Sequence, residues 1–155
     1  MSIQYRHQED VSTSLIQRSA VEFCRQFERS ILDQLRAAGV HVVREPGAIG
    51  YGRPDERKRY FPDFSVTTKD AQTVYIEAKG WLNTKAAEKM RYAKAFNPTK
   101  DIRFVFQNGK TKVGRLKSTN LQWAKRNHFP AAVKIVPDEW IKDFMTVEET
   151  LGHMQ

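Results

Sequence analysis

The chain has 155 residues, enough for one domain with its own core, and a hydrophobic fraction of 40%, ordinary for a soluble globular protein. Lys and Arg outnumber Asp and Glu by 26 to 18, a surplus that favours a polyanionic partner. No apolar run of transmembrane length and no lipidation signal is present, and the start is too polar for a signal peptide; with Cys24 alone no internal disulfide can form, so no membrane partner and a reducing, cytoplasmic setting are expected.

Residues 1–18 are polar and mixed in charge and read as a flexible arm or a short helix. Ser19 to Ala38 reads as a helix: Cys24, Phe27, Ile31, Leu32 and Leu35 recur at three- and four-residue spacings, and Gly39 supplies the stop. Cys24 is expected to be a small core residue. Glu28 falls on or beside the apolar stripe, where a carboxylate is costly unless paired or metal-bound. Pairing with Arg25, Arg29 or Arg36 is one reading, and an active-site role is the other.

Val40 to Arg44 reads as a strand that Pro46-Gly47 ends, with His41 a surface or packing residue. Residues 47–59 are rich in Gly, Pro and Arg and read as a loop. Arg53, Arg57, Lys58 and Arg59 crowd there, either as a solvated charge run or as a grip on backbone phosphates.

Phe64 to Thr68 and Thr73 to Lys79 read as two strands, the second closed by Gly80, with Lys69-Asp70-Ala71-Gln72 as the hairpin turn between them. Alternation puts Glu77 and Lys79 on one face and Val74, Ile76 and Ala78 on the other. The hairpin brings Asp63, just ahead of the first strand, to the far end of the second. Two carboxylates and an ammonium then converge at one end of a sheet. That trio suits metal-dependent phosphodiester hydrolysis: Asp and Glu oxygens hold Mg²⁺ or Mn²⁺, which polarises the phosphate and activates a water. The lysine orients that water or offsets charge on the phosphorane. The plainer reading is an exposed hairpin with scattered charges.

Beyond Gly80, Asn83 or Thr84 caps a helix running to about Phe96, where Asn97-Pro98 ends it. Trp81 either packs under that helix or contacts DNA, and packing is the expectation. Ile102 to Gln107 is an apolar strand apart from Arg103, followed by the turn signal Asn108-Gly109. Between Ile102 and Pro137 there are eight Lys or Arg and no Asp or Glu. Lys110, Lys112, Arg115 and Lys117, with Lys125 and Arg126 on a short helix from Thr119 to Asn127 that also carries Trp123, make this stretch the expected DNA-contacting surface. Ala132 to Val136 reads as a last strand. Pro137-Asp138-Glu139-Trp140 opens a closing helical turn with Trp140 buried, and the tail after Phe144 reads as frayed and acidic. The order is that of a mixed α/β sheet flanked by helices.

Pro62-Asp63 followed by Glu77-Ala78-Lys79 matches the PD-(D/E)xK nuclease signature. Phe27-Glu28, Tyr60-Phe61-Pro62-Asp63-Phe64, Glu77-Ala78-Lys79-Gly80, Ile102-Arg103-Phe104-Val105-Phe106 and Pro137-Asp138-Glu139-Trp140-Ile141-Lys142 fall in the order seen in the phage endonuclease I family of Holliday-junction resolvases, which the chain resembles over roughly residues 20–144. The gap between Asp63 and Glu77 is a few residues longer than in that family, which a longer hairpin tip absorbs.

The resemblance implies a restriction-endonuclease-like core at 19–144, between an arm at 1–18 and a tail at 145–155. It implies cleavage of four-way and other branched DNA to a 5′-phosphate and a 3′-hydroxyl. It also implies one Mg²⁺ (or Mn²⁺) on Asp63, Glu77 and the Ala78 carbonyl, a second approached by Glu28 and Asp63, and Lys79 assisting the attacking water. Finally it implies a domain-swapped homodimer in which Glu28 of one chain joins Asp63, Glu77 and Lys79 of the other, in the host cytoplasm if the chain is phage-encoded. A restriction or repair nuclease with the same signature, and a basic nucleic-acid-binding module without catalysis, are the competing readings.

Overall fold

A computed structural model describes residues 22–153, so the arm read at 1–18 lies outside the described residues. The elements run α1 (residues 22–37), β1 (Val42–Arg44), β2 (Ile49–Tyr51), β3 (Lys58–Tyr60), β4 (Phe64–Thr67), β5 (Thr73–Lys79), α2 (Thr84–Phe96), β6 (Asp101–Phe106), α3 (Asn120–Arg126), β7 (Ala131–Val133), α4 (Asp138–Ile141) and α5 (Val147–His153).

Five strands form one sheet in the order β1-β4-β5-β6-β7. The pairs β1–β4 and β4–β5 are antiparallel, while β5–β6 and β6–β7 are parallel. The alternation of strand side chains divides the core into two layers. Val74 and Ile76 of β5, with Phe64 and Val66 of β4, pack against Phe27, Ile31, Leu32 and Leu35 of α1. On the other face Ile102, Phe104 and Phe106 of β6 meet Ala87, Met90 and Ala93 of α2 and Trp123 of α3. Phe104 meets Trp123 and Phe129 edge-on, at centroid distances of 5.7 and 5.1 Å. Each such fully buried side chain stabilises the fold by roughly 1.5–3 kcal/mol.

Local chemistry sets the helix ends. Gly39 takes φ +77° just past α1, a conformation that favours glycine. The Asn83 side chain accepts the Ala86 N–H to start α2, and Thr119 with Gln122 closes a capping box on α3. Gly114 lets segment 110–118 lie against the start of α2: its N–H donates to the Leu82 carbonyl, and a Cβ there would come within 2.1 Å of Thr84 Oγ1. The basic segment is thereby fixed beside the chain that leaves β5.

Several expectations need correction. Residues 47–59 are not simply a loop, because β2 and β3 pair as an antiparallel hairpin that packs on α2 through Ile49, Tyr51 and Tyr60. Cys24 is exposed, because the buried stripe of α1 begins only at Phe27. Trp81 is 57% exposed, since Leu82 takes the place under α2. Trp140 is half-buried under Arg103, whose guanidinium sits 5.1 Å from its ring and pairs with Asp101 at 2.8 Å. The tail is helical at α5, and the preceding residues Thr146 and Phe144 bridge to Val40 and Thr68.

Candidate active site

In the β4–β5 register Phe64 pairs with Ile76, so one step further Asp63 faces Glu77. The site therefore forms where β5 ends and β4 begins. Asp63 Oδ2 accepts the Ala78 N–H at 2.9 Å, which fixes its carboxyl against the end of β5. Glu77 is buried, with 4% of its surface exposed. Lys79 Nζ lies 3.5 Å from Glu77 Oε1, as strand alternation predicts for residues two apart. The Tyr60 hydroxyl donates to Glu77 Oε2 from β3.

Too little positive charge serves these carboxyls. Burial, and then the negative charge of Glu77, push Asp63 up to about 7, against the pull of the Ala78 N–H and Lys79. Burial also raises Glu77, although Lys79 and the Tyr60 hydroxyl oppose it. Asp63 and Glu77 adjoin here, and each shifts the proton affinity of the other. Burial, followed by the charge of Glu77, drives the Tyr60 phenol well above its usual range.

Glu28 of α1 belongs to the same neighbourhood. Burial and then the Asp63 charge raise its pKa, while Arg44 and Lys79 pull it down. Among the described residues it makes no ion pair with Arg25, Arg29 or Arg36. It opens instead into a cleft of about 510 Å³ along α1, which those three arginines and Arg44 also line. Within one chain the fold thus brings together all four residues expected at the site.

The expected DNA-contacting residues separate into groups. Arg53, Arg57, Lys58 and Arg59 are all exposed on the β2–β3 hairpin. Arg53, Arg57 and Lys58 border grooves shared with Phe96 of α2, whereas the Arg59 guanidinium lies 5.6 Å over the Phe61 ring, next to the site. Lys110, Lys112, Arg115 and Lys117 are exposed on the segment after β6. The Lys112 carbonyl accepts the Trp81 indole N–H at 3.3 Å, which ties that segment to the exit of β5. Lys117, Lys125 and Arg126 gather around a shallow hollow with Gln122, farther along the same surface.

Tyr60 is the site residue that sequence reasoning missed. Its signal is position: it is the last residue of β3, and only the pairing of β3 with β2 shows that it turns inward. The arginines of α1 have no sequence signal beyond their spacing to Glu28, yet they line the cleft into which it opens.

The donors suit a hard divalent cation. Asp63 and Glu77 offer carboxylate oxygens, Ala78 a backbone carbonyl, and the raised carboxyl pKa values mark a place where added positive charge is favourable. Among the described residues no three Asp, Glu, His or Cys side chains form a ready metal cage. A donor set of two carboxylates completed by a carbonyl and waters is the kind that Mg²⁺ accepts.

The family model described as Phage endonuclease I matches residues 11–153. Endonuclease I of Escherichia phage T7 is 26% identical over 117 residues, which cover 75% of this chain and 76% of the relative. Endodeoxyribonuclease 1 of Enterobacteria phage T3 is 26% identical over 117 residues, covering 75% and 74%. No helix among the described residues is long and apolar enough to cross a membrane.

Proposed function

The chain belongs to the phage endonuclease I family, and from that membership and the geometry at the end of β5 we propose that it is a metal-dependent endodeoxyribonuclease acting on four-way and other branched DNA. The observation that carries the chemistry is the pairing of Asp63 with a buried Glu77, beside Lys79, where both carboxyl pKa values are raised by burial. Such a place binds a divalent cation more readily than it holds two bare carboxylates.

Asp63, Glu77 and the Ala78 carbonyl would hold one Mg²⁺ or Mn²⁺ ion, with a second between Glu28 and Asp63. A cation so placed supplies Lewis-acid polarisation of the phosphate and lowers the pKa of bound water. Lys79 orients the attacking water and stabilises charge on the phosphorane. Tyr60 holds the Glu77 carboxylate in one orientation by hydrogen bonding. The water oxygen bonds to phosphorus, the P–O3′ bond breaks, and the 3′ oxygen takes up a proton, leaving a 5′-phosphate and a 3′-hydroxyl. The cations of β3 and of segment 110–126 hold backbone phosphates on either side.

We further propose a homodimer, since a two-fold symmetric enzyme can cut two strands of a junction in one encounter. Glu28 and the α1 packing that one chain makes here can form equally between two chains if segment 45–59 opens.

The test compares cleavage of a four-way junction with cleavage of a linear duplex of the same sequence, in Mg²⁺ and in EDTA. Junction cutting in Mg²⁺ alone is expected. Equal cutting of both DNAs would point to another nuclease of the same signature, and binding without cutting to a non-catalytic module.

A further inference from the structure

Phe61 and Trp81 are large aromatic residues left in solvent, 58% and 57% exposed, on the two segments that carry the site. Phe61 lies two residues ahead of Asp63, and Trp81 two beyond Lys79. Asp63 and Lys79 stand at one sheet end, and each aromatic lies two residues from one of them along the chain. Single exposed apolar side chains are ordinary. These two are set apart by how they are held. The Arg59 guanidinium lies 5.6 Å from the Phe61 ring centroid. The Trp81 indole N–H donates to the Lys112 carbonyl at 3.3 Å, which restrains a ring that is otherwise largely in solvent. Arg59 thus sets a cation beside the Phe61 ring, while Trp81 is joined to the other basic segment through the Lys112 backbone.

An aromatic face beside a cation is what a nucleotide of an opened strand binds: the ring takes the base and the cation takes the phosphate. We propose that Phe61 and Trp81 form a base-stacking platform at the mouth of the active site, which accepts an unstacked nucleobase of DNA next to the scissile phosphate. The inference rests on the reading of the chain as a DNA nuclease and adds a means of selection. A fully paired duplex keeps its bases stacked inside and cannot use the platform. A base released at a bulge or an opened branch point can. Stacking of one base on an aromatic side chain changes affinity on the order of fivefold to a hundredfold.

The experiment measures binding alone, with the full chain carrying Asp63→Ala so that bound DNA survives. The probes are a linear duplex and the same duplex with one unpaired 2-aminopurine. Phe61→Ala and Trp81→Ala are each expected to weaken binding to the bulged DNA about fivefold or more, with linear-duplex binding unchanged. Phe61→Tyr and Trp81→Phe should retain it. The 2-aminopurine fluorescence should be quenched on binding by the parent and not by the double alanine chain. If an alanine chain fails to fold by circular dichroism, Phe61→Leu and Trp81→Leu, which keep bulk without a π face, should show the same selective loss. Equal losses on both DNAs, or quenching that survives the double substitution, would overturn the platform. Because no cleavage is read, a wild-type chain that cuts nothing would sink the nuclease proposal separately. A wild-type chain that cuts, with platform variants that bind like the parent, would sink the platform alone.

Discussion

Glu77 brings a carboxyl into a strand whose neighbours are apolar, and Tyr60, Lys79 and Asp63 all act on it there. Lys79 supplies the cation, so Lys79→Ala should cost a factor on the order of 10² or more in turnover if it stabilises charge in the transition state. A loss below about tenfold in single-turnover cleavage would make it an ordinary surface lysine. Tyr60 acts through Glu77. Tyr60→Phe removes the hydroxyl and keeps the ring, and should raise the Mg²⁺ concentration for half-maximal cleavage about ten- to a hundredfold, without changing DNA affinity. A titration of rate against Mg²⁺ reads this, and an unshifted midpoint would reduce Tyr60 to packing. Asp63 bears on stability. With its pKa raised from 3.8 to about 7, the folded chain keeps a proton that the unfolded chain has released. Stability therefore falls as pH rises between those values, and the loss is complete above about 7. In EDTA the urea midpoint should drop from pH 5 to pH 8, and Asp63→Asn should lose less. A wild-type midpoint that held or rose over that range would contradict the buried, cation-poor site.

At the scale of elements, what could be read from the chain was what local chemistry decides. The Thr73-Val74-Tyr75-Ile76-Glu77-Ala78-Lys79 strand, the α2 cap at Asn83, one of its two candidates, the short helix after Thr119 and the Gly39 stop all stand in the structure where side-chain type and spacing put them. What could not be read depends on partners far away in sequence. The three-residue strands β2 and β3 lie in a segment rich in Gly, Pro and Arg, and they acquire their inward face only by pairing and packing on α2. Tyr60 was hidden for the same reason. Of the two sequence readings of Trp81, packing under α2 is excluded because Leu82 fills that position. The basic segment after β6 is tied to the exit of β5, so its cations should contribute affinity. Replacing Lys112, Arg115 and Lys117 by Ala should flatten the salt dependence of junction binding, by about 0.9 in log–log slope for each DNA phosphate left without its cation. An unchanged slope would move the DNA to the β2–β3 hairpin or to the arginines of α1.

At the scale of the whole molecule, α1 gives the sheet both a core face and a carboxylate. Phe27 and Ile31 bury themselves against β4 and β5, and Glu28 between them opens toward Asp63. If two chains exchange α1, each site draws Glu28 from one chain and Asp63, Glu77 and Lys79 from the other. A mixed dimer of Glu28→Ala and Asp63→Ala chains, isolated through two different tags, then has one wild-type site and should nick one strand of a junction. With unshared sites both are damaged, and a folded, junction-binding mixed dimer should be inert.

The most direct measurement is single-turnover cleavage of a pre-bound four-way junction on addition of Mg²⁺, by the wild-type chain and by Asp63→Ala. The wild-type chain should cut, leaving 5′-phosphate ends, and should stop in EDTA. The Asp63→Ala chain should hold the junction at least as tightly, since a carboxylate has been removed from a basic protein, and should leave it uncut. Cutting by Asp63→Ala at near wild-type rate, or cutting by the wild-type chain that persists in EDTA, would contradict a metal-dependent active site at the end of β5.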